Sequence, residues 1–94
     1  MWSIYDSNRV NKVYASLDKA IKDSYQRAFQ NLSTNPKSGK LLKGYDNVRS
    51  YPVTSPGSEH RIIYRLKHSD KVVYVIFIGS RSDVYELMKR SKIN

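Results

Sequence analysis

His60-Arg61-Ile62-Ile63-Tyr64-Arg65-Leu66, followed after a short polar break by Val72-Val73-Tyr74-Val75-Ile76-Phe77-Ile78-Gly79, is the stretch from which the fold can be read. The first segment alternates. Ile62, Tyr64 and Leu66 fall on one side of an extended chain, and Arg61, Ile63 and Arg65 on the other. The second is apolar on both sides, as a strand covered on both faces would be, and Gly79 ends it. Ser69-Asp70 supplies turn residues between them, so the two strands should pair antiparallel.

Upstream of this pair, Val48 to Val53 reads as a further strand. Pro52 lacks a backbone N–H and argues for an edge position. Thr54 to Glu59 reads as a turn signalled by Pro56-Gly57, and Lys37 to Gly44 as a glycine- and lysine-rich loop. Before that loop the period changes to that of a helix. Val10, Val13, Tyr14 and Leu17 recur at helical spacing after a cap at Ser7 or Asn8. Ile21, Tyr25, Ala28, Phe29 and Leu32 form the apolar face of a second helix, capped by Ser16 or Asp18 and stopped at Asn35-Pro36. Trp2 to Tyr5 reads as a first strand. After Gly79, Ser82 is the expected cap of a last helix with Val84, Leu87 and Met88 inward.

The sum is one α+β domain spanning residues 1–94, in the order β-α-α-β-β-β-α. It should hold a four-stranded, mostly antiparallel sheet with a helical hairpin packed on one face and a short C-terminal helix. A chain of 94 residues has room for one core.

Charge narrows the function. Seventeen Lys and Arg against eight Asp and Glu give +9, a field that favours polyanionic partners, nucleic acid first. The absence of cysteine removes disulfides and thiolate chemistry and fits a reducing cytoplasm. His60 and His68 are too few for an ordinary zinc site, and Asp46, Glu59, Asp70 and Asp83 are scattered rather than grouped for a two-metal nuclease. No Walker or Rossmann glycine loop occurs, so neither metal nor small-molecule cofactor is expected. No apolar run reaches membrane-spanning length, and residues 1–6 lack the apolar core of a signal peptide, so a cytoplasmic protein without membrane partners is expected.

The arginines are the informative residues. Arg49, Arg61 and Arg65 lie in the strands, Arg81 follows the apolar strand, and Tyr85 comes four residues later, on the same face of a helix that starts early. Metal-free RNA cleavage needs the 2′-hydroxyl deprotonated, the pentavalent phosphate stabilised and the leaving 5′-oxygen protonated. The guanidinium fork suits the second task. His60, by its ordinary titration range, and Tyr85, as a base-stacking or proton-donating group, are candidates for the rest.

Asn35-Pro36, Gly39-Lys40-Leu41-Leu42-Lys43-Gly44, Arg49, His60-Arg61-Ile62-Ile63-Tyr64-Arg65, Ile78-Gly79-Ser80-Arg81 and Asp83-Val84-Tyr85, in that order, resemble the RelE/ParE toxin superfamily along nearly the whole chain. The resemblance implies a type II toxin silenced by a cognate antitoxin protein. In its RelE-like branch it implies a ribosome-dependent endoribonuclease that cuts mRNA through the 2′-hydroxyl without a metal. By position, Arg61 and Arg81 match phosphate-stabilising arginines and Tyr85 a base-stacking tyrosine. Arg49 and Tyr51 fall where RelE carries an active-site lysine pair, and Lys40 where the YoeB branch carries a catalytic glutamate. The expected catalytic set is therefore Arg49, His60, Arg61, Arg81 and Tyr85, with Lys40, Lys43, Tyr51 and Arg65 as RNA-binding groups. The rival expectations are a ParE-like gyrase poison without nuclease activity and an inactive RNA- or partner-binding relative.

Overall fold

The computed structural model describes residues 1–55 and 57–91. A first strand, β1 (Ser3–Asp6), leads into two helices, α1 (Asn8–Ser16) and α2 (Lys19–Thr34). A short 3-10 turn follows at Pro36–Ser38, then β2 (Lys40–Leu41), β3 (Val48–Ser55), β4 (Ser58–Lys67), β5 (Val72–Ser80) and the last helix, α3 (Arg81–Ser91). The caps follow the sequence. Ser7 Oγ accepts from the Val10 amide at 3.3 Å, and Asp18 Oδ1 from the Ile21 amide at 3.1 Å.

The strands form one five-stranded sheet in the order β1-β5-β4-β3-β2. The β1–β5 pair is parallel and the others are antiparallel. The fifth strand is the correction to the four expected. Lys40 and Leu41, read as loop, pair with Ser50 and Arg49. Two residues are too few for a periodic signal. This pairing also relocates Pro52, because β3 is an inner strand only as far as β2 reaches. Pro52 lies beyond that end, where no strand flanks it on the outer side.

The β3–β4 hairpin is tighter than its sequence suggested. Pairing continues to Ser55 opposite Ser58, so Thr54 and Glu59 belong to strands. Gly57, at φ +79, takes the left-handed conformation, and Pro56 of the expected Pro56-Gly57 turn lies outside the described residues.

Two cores flank the sheet. On one face, Val53, Ile62, Tyr64, Leu66, Val73, Val75 and Ile78 pack against Val10 of α1 and Tyr25, Ala28 and Leu32 of α2. On the other, Val48, Ile63 and Phe77 pack against Val84 and Met88 of α3. Both faces are therefore covered in part, α3 on the side opposite the helical hairpin. A bulge in β5 makes the second core possible. Ile63 pairs with Phe77 and Tyr64 with Val75, leaving Ile76 without a partner in the ladder. The extra residue turns Ile76 and Phe77 to the same side, where both join the α3 core. Ser80, rather than the expected Ser82, caps α3, its Oγ accepting from the Asp83 amide at 3.3 Å.

Among the described residues, no helix is long and apolar enough to cross a membrane.

Candidate functional site

Strand parity decides which polar groups can meet. Residues directly opposite in an antiparallel pair share a face. Arg61 is opposite Pro52 and Gly79, and Ile63 is opposite Ser50 and Phe77. Arg61, Ser50 and Lys40, which is opposite Ser50, therefore lie on the α3 face. Arg49 is opposite Tyr64, Tyr51 opposite Ile62 and Val53 opposite His60, all on the hairpin face.

At the open end of the α3 face, two arginines meet one carboxylate. Arg61 Nη2 donates to Glu59 Oε1 at 2.9 Å, and Arg81 Nη1 lies 3.8 Å from Glu59 Oε2. The Arg61 side chain is only 18 % exposed, against 63 % for Arg81 and 48 % for Glu59, so Arg61 is the seated member and Arg81 the solvent-facing one. The buried Nε of Arg61 has no partner among the described residues. Gly79, beside Arg61 in register, adopts φ +151, a conformation that favours glycine, and packs beneath Val84 and Asp83 of α3. Arg81 is the first residue of α3, and Tyr85, one turn on, packs half-buried against the second core.

Ser50 is also on this face. It is almost fully buried, and its Oγ has no partner among the described residues. Lys40 beside it is exposed, as is Lys43 in the turn between β2 and β3. Arg65 shares the face but sits four residues from Arg61, about 13 Å along the strand. Ile63 lies between them beneath α3.

The remaining expected residues face away. His60 is 7 % exposed, its Nδ1 lies 2.9 Å from the Tyr25 hydroxyl, and its ring packs edge-on against that of Tyr25. Burial pushes the Tyr25 hydroxyl well above the usual tyrosine range, against a smaller opposing effect of the Gly79 backbone. Arg49 Nη1 donates to the carbonyls of Lys37 at 3.1 Å and Gly39 at 2.9 Å. The Tyr64 hydroxyl binds the same segment, donating to Pro36 O at 2.7 Å and accepting from the Gly39 amide at 2.9 Å. Burial raises Tyr64, while the Gly39 amide and Arg49 pull it down. A Cβ at Gly39 would collide with the Tyr64 hydroxyl and ring, so glycine is required there. The Tyr51 hydroxyl accepts from Asn31 of α2 at 3.2 Å.

The structure thus brings Arg61 and Arg81 together, with Tyr85 on the helix that carries Arg81, and places Lys40 on the same face. It sets Arg49, His60 and Tyr51 on the opposite one. The β3 residues that face the site are Ser50 and Pro52, one position off the expected pair, because the parity of β3 is fixed by its register with β4. Glu59 was missed. Its signal was the Glu-x-Arg spacing, which puts two side chains on one face of a strand but counts for nothing while Glu59 is read as a turn residue. Among the described residues, no three His, Asp or Glu side chains gather as a metal cluster.

Two guanidiniums thus meet at the rim of the sheet of a small basic α+β domain. Comparison with known families gives the class. The profile described as the ParE toxin of the type II toxin-antitoxin system parDE matches residues 6–85. The chain belongs to this family within the RelE/ParE superfamily. No curated protein matches it in sequence. Its fold is shared with the isolated E. coli RelE toxin, at TM-score 0.73 and 23 % identity over 96 % of this chain and 98 % of that one. It is also shared with the intact E. coli RelBE toxin-antitoxin complex, at TM-score 0.75 and 18 % identity over 85 % and 96 %. The Mycobacterium tuberculosis RelBE2 toxin-antitoxin complex matches at TM-score 0.68 and 20 % identity over 85 % and 98 %.

Proposed function

We propose that this toxin is a ribosome-dependent endoribonuclease that cuts mRNA by attack of a ribose 2′-hydroxyl on the neighbouring phosphate. The observation that carries the reading is the convergence of Arg61 and Arg81 on the two oxygens of a single carboxylate. A carboxylate presents two oxygens to two guanidiniums much as a phosphodiester presents its non-bridging pair. Donors preorganised around developing phosphorane charge are commonly the largest single contribution to such catalysis. The +9 charge draws RNA to the domain, and exposed Lys40 and Lys43 extend the positive surface from the site. In this reading Tyr85, half-buried on the helix that carries Arg81, offers the exposed part of its ring to a base beside the bound phosphate. The partners of this reading are the ribosome, its mRNA and a cognate antitoxin that covers the site at rest.

The family profile favours a second reading, since it is that of ParE toxins: a gyrase poison that leaves RNA whole. Brief induction in growing cells separates the two. The nuclease reading expects new 5′ ends within translated codons, without a DNA-damage response. Gyrase-linked DNA breaks with intact message would replace it with the second.

A further inference from the structure

We infer that Glu59 is the general base of the cleavage, an assignment that rests on the nuclease reading of the Arg61–Arg81 site. Metal-free attack by a 2′-hydroxyl needs a proton acceptor beside the phosphate. His60, to which the sequence points for such a group, is engaged on the far face of the sheet, as are Arg49 and Tyr51, and Tyr85 packs against the α3 core. The site-facing positions of β3 offer Ser50 and Pro52, neither of which is a base. Glu59 is the carboxylate in contact with both arginines, and at 48 % exposure it is open to substrate.

Donor geometry lets base and phosphate coexist. Each guanidinium carries five N–H donors. Glu59 takes one from Arg61 Nη2 and lies near one from Arg81 Nη1, leaving the other donors of the exposed Arg81, and those of Arg61 apart from its buried Nε, for non-bridging phosphate oxygens. A phosphate held there sits beside the carboxylate, with its own ribose 2′-hydroxyl as the nearest acidic group. Glu59 accepts the 2′-hydroxyl proton as the O2′–P bond forms. The P–O5′ bond breaks, and the 5′-oxygen leaves with the electron pair and takes a proton from solvent, to which Glu59 then returns its own. The products are a 2′,3′-cyclic phosphate and a 5′-hydroxyl.

The opposing role for the same contact is a plug, in which Glu59 merely occupies the phosphate site and must be displaced. Glu59→Gln distinguishes them, because the amide oxygen still accepts from Arg61 while basicity is lost. The measurement is single-turnover cleavage of mRNA on programmed ribosomes across a pH series, with binding of a message carrying a 2′-deoxy residue at the cut site. As base, Glu59→Gln cleaves about 10²–10⁴-fold more slowly. It binds the deoxy message at least as tightly as wild type, and the wild-type rise of rate with pH at the acid end flattens. Cleavage by Glu59→Gln at or above the wild-type rate, or a slow variant that keeps the wild-type pH dependence, overturns the assignment and leaves the nuclease reading standing. A wild-type protein that cuts no message overturns both.

Discussion

The two faces of β4 put similar residues to opposite uses. On the hairpin side, His60 and Tyr64 are buried, and each polar tip is committed to another part of the chain: His60 to Tyr25 of α2, Tyr64 to the backbone at Pro36 and Gly39. On the α3 side, Glu59 is committed to Arg61 and Arg81, at an edge that solvent reaches. A polar group bound to distant backbone holds elements together. One bound to a neighbouring exposed charge can exchange that partner for a ligand. By that criterion the hairpin face is built for stability, and the rim of the α3 face suits the binding role proposed for it.

The largest expected effect falls on the α3 face. Arg61→Ala and Arg81→Ala should each lower cleavage on programmed ribosomes by about 10²–10³-fold, the usual loss when one preorganised donor is removed from a transition state. Thermal melting of Arg81→Ala should stay close to wild type, because its ion pair with Glu59 is long and exposed. A large drop in melting temperature with proportionate activity would move Arg81 to the structural side.

Next comes the hairpin face. Tyr25→Phe strips a buried partner from His60 and should lower unfolding free energy by about 1–3 kcal/mol in denaturant titration. The folded fraction should cleave RNA at the wild-type rate. Loss of cleavage without loss of stability would bring His60 back into the chemistry.

The smallest effect tests the flank of the sheet. Burial raises the Asp6 carboxyl above its ordinary value, and its Oδ1 is buried with no partner among the described residues. A carboxyl whose folded value is raised favours the fold below its unfolded value and loses that contribution as pH rises through the folded one. Asp6→Asn should therefore melt slightly higher than wild type at neutral pH. The gain should vanish in acid, where Asp6 is protonated in both states. An unchanged gain across the pH range would mean that the carboxylate charge is not its source.

Much of this partition was legible in the sequence. The alternation of Ile62, Tyr64 and Leu66 with Arg61, Ile63 and Arg65 placed the two faces of β4 correctly, because a period of two leaves no freedom once one face is buried. The helical hairpin and its caps were readable from spacing and side-chain chemistry. What sequence could not supply was register. Whether Arg49 or Ser50 shares a face with Arg61 depends on pairing across the β3–β4 turn, and a shift of one residue reverses every side chain on the strand. The same ignorance hid Glu59, which becomes a site residue only when the strands extend to Ser55 and Ser58. His60, expected among the site residues, is instead buried against Tyr25. Its neighbour Arg61 looks to the site, and strand alternation turns His60 inward.

Side-chain NMR tests the partition most directly. Arginine Nε–H and histidine ring resonances would be followed as a short RNA, made uncleavable by 2′-deoxy substitution, is titrated into the protein. The Arg61 and Arg81 signals should shift together along one saturating curve, while those of Arg49 and His60 stay in place. Saturating shifts at Arg49 and His60 with Arg61 and Arg81 unmoved would contradict the account, because the phosphate would then be held on the hairpin face.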